Sequence, residues 1–194
     1  MNRFVTAAGT VLAFGAASVA PAFAHAGPEG HGSFLAGLGH PVSGVDHLVA
    51  MVAVGVFASV LGGRARLAVP GAFVGAMVAG FGMALAGVSL PLVEPAILAS
   101  LVVIGLMLAA TARLPLALSA GIVGAFGLFH GFAHGGEMGS ASALAYGAGF
   151  VLATLGLHGA GLLAGNAVAA RSGTLLPRLV GAGTALTGVA LMVG

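Results

Sequence analysis

Charge is what this chain has least of. Its 194 residues include six arginines, no lysine and four acids, 5% of the total, against about 25% in an ordinary soluble domain. So few charges cannot cover a surface that faces water. Cysteine is absent, which excludes disulfides, CxxC redox chemistry, thiolate metal centres and iron–sulfur clusters. Tryptophan is absent too and Tyr146 is the single tyrosine, so interfacial aromatic belts are thin. The isoelectric point near 10.6 reflects a net charge of only +2 with no basic cluster, so nucleic acid is not an expected partner. No GxxxxGK[ST] motif occurs, and ATP hydrolysis by this chain is therefore not expected.

What remains is apolar and small. Hydrophobic residues make up 59%, mean hydropathy is +1.16, and 35 residues are glycine. The solvent these figures imply is a lipid bilayer. Residues 1–24 read as a cleavable signal peptide: Arg3 gives the positive start, a short apolar core follows, and Ala22-Phe23-Ala24 is an A-x-A cleavage site. Cleavage makes His25 the mature N-terminus, and residues 25–40 an exported, glycine-rich linker. The rest, residues 41–194, reads as one all-α polytopic membrane domain with six transmembrane helices. Crossing the hydrocarbon needs about 20 apolar residues, and the spans fall near 41–61, 67–86, 92–110, 114–132, 141–165 and 175–193.

Orientation follows from two signals. An exported His25 places the connections after spans one, three and five inside. Those connections hold Arg64 and Arg66, then Arg113, then Arg171 and Arg178, as the positive-inside rule requires. The expected location is a bacterial inner membrane with both mature termini periplasmic. Glycines at four-residue spacing (Gly71/Gly75, Gly127/Gly131/Gly135, Gly161/Gly165) predict close helix packing. A homo-oligomer is compatible with this composition.

Polar residues are concentrated at two places. His40, Asp46 and His47 open span one in HPVSGVDHLVAM, and His130, His134 and Glu137 close span four in HGFAHGGE. Ionisable groups in a span cost a few kcal/mol unless paired or hydrated. Both groups fall at the outer ends of their helices, so one outward vestibule can hold them. Pro41 suits a first helical turn, and Gly135-Gly136 suggests unwinding beyond His134. Imidazole with carboxylate suits Ni, Co, Zn or Cu(II), while the carboxylates are too few for Mg or Ca. His25, His31, Glu94 and His158 are secondary metal candidates. For each a plainer reading stands: a solvated tail for the first two, an interfacial acid for Glu94, a packed core histidine for His158.

The two segments resemble the signatures of the HupE/UreJ family of membrane permeases, H-P-x-x-G-x-D-H near the first mature span and H-G-x-x-H-G-x-E near the fourth. Leader, span count and small-residue composition resemble the family as well. The resemblance implies nickel supply to hydrogenase or urease, with His40, Asp46, His47, His130, His134 and Glu137 as metal-binding residues. The expected function is therefore transport of Ni²⁺, or Co²⁺, into the cytoplasm, with no organic cofactor and no enzymatic activity. Two other readings compete: a histidine-ligated di-iron membrane enzyme, and a metal-sensing accessory subunit that transports nothing.

Overall fold

The computed structural model describes residues 33–136 and 143–194, apart from the side chains of residues 168–172. The signal segment, His25, His31 and Glu137 lie outside the described residues. Seven helices and no strand are found among the residues described: α1 Phe34–Ser43, α2 Val45–Leu61, α3 Ala65–Leu85, α4 Val93–Ala109, α5 Leu116–Gly136, α6 Ala143–Ser172 and α7 Leu175–Val193. α3, α5, α6 and α7 are long and apolar enough to cross a bilayer, and α1 with α2 adds a fifth crossing if the bent pair counts as one. α4, at 17 residues, falls just short of the usual length of about 20.

Three features differ from the sequence-based expectation. The stretch read as linker is already helical from Phe34, capped by Ser33, whose hydroxyl accepts from the Ala36 amide at 3.0 Å. Pro41 therefore lies near the end of α1 rather than in a first turn. The first span is bent by 84° between α1 and α2. Gly135 and Gly136, expected to unwind, instead complete α5.

Backbone contact at glycine packs α1 and α5 closely against their neighbours. A Cβ on Gly37 would overlap the Tyr146 carbonyl, and one on Gly149 the Phe34 carbonyl, so α1 lies directly on α6. Gly127, Gly131 and Gly135 stand in the same way against the carbonyls of Phe73, Met77 and Phe81. Their registers advance together, so α3 and α5 run parallel. Gly161 against Val52 and Gly165 against Ser59 make α2 and α6 parallel as well. Between α4 and α7 the register reverses: Gly105 meets Gly181 and Ala185, while Gly188 meets Leu101 and Val102. These tight approaches hold the bundle together by packing, which in lipid replaces the hydrophobic drive between helices. Gly71 and Gly75 depart from expectation. Both face outward, and a methyl group added at either would find no atom within 4 Å.

The bundle is apolar outside, and most of its few polar side chains are buried in an otherwise apolar core. Leu67, Leu144 and Leu163 are 70% or more exposed, whereas His47, His130, His134, Thr154, His158 and Thr184 are buried. Arg64, Arg66, Arg113 and Arg178 are all exposed. They sit at the helix ends opposite to the one where α2 begins and α5 finishes.

The packing makes a contrast testable. Gly131→Ala is expected to lower stability by about 1–3 kcal/mol, because the new methyl must push α5 off the Met77 carbonyl. Gly75→Ala, facing open space, is expected to be neutral or to stabilise by up to about 1 kcal/mol. Thermal unfolding in detergent separates the two, and equal effects would contradict this packing.

Candidate metal-binding site

The site begins with a break in the chain. Gly44 is extended (φ −97°, ψ 123°) between α1 and α2. Ser43 closes the end of α1 by donating its hydroxyl to the His40 carbonyl at 2.7 Å. Asp46 then stands in the first turn of α2, where the helix dipole favours a carboxylate. A Cβ on Gly44 would stand 2.8 Å from Asp46 Oδ1 and 3.4 Å from His47 Nδ1. Glycine there leaves room for the pair, in which His47 Nδ1 lies 3.0 Å from Asp46 Oδ1.

Across from this turn stands the last part of α5. His47 Nε2 and His134 Nε2 are 2.7 Å apart. The ring of His40 lies 4.2 Å from that of His134, and the ring of His130 lies 5.0 Å from that of His47. Four histidines from three helices therefore share one cluster, with Asp46 on its flank. The segments that the sequence placed at the ends of spans one and four do meet.

Hydrogen bonding fixes the tautomers. His47 donates from Nδ1 to the Asp46 carboxylate, which leaves Nε2 as a lone pair to accept from His134. His130 donates from Nδ1 to the Phe126 carbonyl at 2.9 Å. Its Nε2 is then a lone pair, buried and without a partner. Tying one ring nitrogen to a carboxylate or carbonyl so that the other is left as a donor is the usual support of a metal-ligating imidazole.

Among the described residues, no three His, Asp or Glu side chains converge on one ion position as they stand. Two nitrogens bound to one ion at about 2.0–2.1 Å each lie about 2.9–3.4 Å apart, farther than the 2.7 Å seen here. The arrangement is a proton-bridged pair that must spread slightly to admit a cation.

Aromatic rings wall the cluster, a role that sequence reading did not assign to them. Phe150 stands 4.8 Å from His134, Phe73 stands 5.2 Å from His130, and Tyr146 stands 5.9 Å from His40. The signal was available in the spacing. Tyr146, Phe150, Thr154 and His158 recur every fourth residue, which puts them on one face of α6, and all four are buried. Phe73, Met77 and Phe81 make the matching stripe on α3. Of the secondary candidates, Glu94 is exposed in the first turn of α4, while His158 is buried deeper in α6.

Comparison with known proteins follows the same segments. The model of the family described as HupE / UreJ protein matches residues 11–191. Protein HupE of Rhizobium leguminosarum bv. viciae is 44% identical over 174 residues, covering 89% of this chain and 91% of that protein. No solved structure matches. On a match that runs through both histidine segments and nearly end to end, the chain belongs to the HupE/UreJ family.

Proposed function

We propose that this protein carries Ni²⁺, with Co²⁺ as the alternative cargo, across the bacterial inner membrane into the cytoplasm. The family is generally one of membrane proteins linked to nickel and cobalt transport. The observation that carries the reading to this chain is the pair of supported imidazoles, His47 on Asp46 and His130 on the Phe126 carbonyl. Each keeps an Nε2 lone pair for a borderline dication. In this reading the signal is removed after Ala24 and the residues between it and α1 are exported. The chain from the start of α1 onward then makes six crossings, the bent α1–α2 pair and the short α4 among them. The mature termini are periplasmic, and the arginine-bearing connections are cytoplasmic.

The incoming ion sheds part of its water against His40, His47, His130 and His134. It displaces the proton that bridges His47 and His134, which passes to His134 Nδ1 so that the ring stays neutral, and the two rings part to hold the ion. Asp46 offsets part of the divalent charge and fixes the His47 tautomer. Glu137, the next residue in the sequence after Gly136, is proposed as a second carboxylate ligand. His25 and His31 on the exported tail, and Glu94 at the start of α4, serve at most to gather ions before they enter. Few and exchangeable ligands let the ion leave again. Inward movement is favoured by the membrane potential, worth about 2.3 kcal/mol per charge at 100 mV.

Two outcomes follow. N-terminal sequencing of protein purified from the membrane is expected to begin at His25, and a chain that still begins at Met1 contradicts the exported start. In proteoliposomes containing only this protein, Asp46→Ala and His47→Ala are expected to abolish Ni²⁺ uptake while inserting as well as wild type. Normal uptake by both variants overturns the site, and no uptake by wild type favours a non-transporting accessory subunit.

A further inference from the structure

The buried stripe of α6 continues inward past the cluster. Thr154 donates its hydroxyl to the Met77 thioether at 3.7 Å. One turn further along α6 lies His158, 2% exposed, with neither Nδ1 nor Nε2 hydrogen-bonded. Its ring stands edge-on to Phe73, with centroids 5.1 Å apart. His130 touches the same Phe73 ring from the cluster, at 5.2 Å. Two buried imidazoles with unpartnered nitrogens are thus joined through one aromatic side chain.

A purely structural role does not account for His158. The buried hydroxyls of Ser100, Thr154 and Thr184 each have an acceptor; Ser119 Oγ has none, but it leaves a single small atom unpaired where His158 leaves both nitrogens of a large ring. Nor is His158 interhelical glue, since it bonds to nothing across the interface. An unpartnered polar atom in an apolar interior opposes folding, and leucine would fill the same space without that cost. Side chains that break the packing rules in this way point to function.

We infer that His158 is an inner station for the transported cation, a second binding point reached after the His40/His47/His130/His134 cluster. The inference rests on the transport reading given above. The ligand class is a borderline divalent ion that keeps part of its water shell, taken by one imidazole with the Met77 thioether a turn away. A single nitrogen holds such an ion weakly, as a relay between a tighter entry site and the cytoplasm requires. Phe73, the ring shared by both stations, separates the two binding steps.

The test pairs transport with stability in the full-length protein. His158→Leu is expected to unfold in detergent at the wild-type temperature or above it, because it removes two buried unpartnered nitrogens. Its Ni²⁺ uptake in proteoliposomes is nevertheless expected to fall by about tenfold or more. Equilibrium binding of Ni²⁺ at the entry cluster is expected to stay within about twofold of wild type. His158→Asn, smaller and polar, serves as the second variant and is expected to lose uptake likewise. Uptake near the wild-type rate in either folded variant overturns the inner station. The parallel assay of His47→Ala keeps the two ideas apart. Loss of uptake there with normal uptake in His158→Leu rejects the station alone, and normal uptake in His47→Ala rejects the entry site.

Discussion

Burying imidazole nitrogens in an apolar interior is the constraint on which this structure turns. The chain has little else that is polar to place inside lipid, yet it gathers His40, His47, His130 and His134 within ring contact of one another. Each such nitrogen loses water and must find a partner or stand exposed to that loss. Asp46 and the Phe126 carbonyl satisfy one nitrogen of His47 and of His130, and the proton bridge satisfies the other nitrogen of His47. A core built only for stability would use leucine here. What the histidines add is a set of nitrogen lone pairs held in register by three helices.

That register depends on glycine. α5 carries two histidines of the cluster and rests with its backbone against α3, because Gly127, Gly131 and Gly135 leave no side chain between them. Gly55 and Gly161 bring α2, with His47, equally close to α6. Helices that touch through backbone have little freedom to slide, which suits a site needing four rings from three helices. Gly44 works differently: it clears space for the Asp46–His47 pair. The glycine of the first motif thus acts at the site, and those of α5 act one layer behind it.

Much of this was legible in the sequence. Low charge and long apolar runs indicate the bilayer and the helices, and histidine with acid inside those runs indicates the residues now found in one cluster. The meeting of spans one and four followed from counting crossings, since alternation brings the start of one and the end of the other to the same face. Three things were not legible. The start of α1 escaped because its glycines count against a helix until the Tyr146 backbone packs on Gly37. The bend at Gly44 escaped because Pro41 favours a first helical turn, whereas it stands inside α1 near its end. Gly71 and Gly75 have the spacing of a packing face, but spacing does not say which glycine stripe finds a partner. The aromatic wall was readable from the four-residue spacing on α6, once that helix is known to face the histidines.

The central claim is that the histidine nitrogens of this cluster take up a dication directly. Nickel K-edge X-ray absorption of the purified, nickel-loaded protein tests it most directly. The account predicts nitrogen neighbours at about 2.1 Å and outer-shell scattering from two or more imidazoles, reduced when His47 or His130 is replaced by alanine. A spectrum of oxygen neighbours alone, unchanged by those replacements, would contradict it.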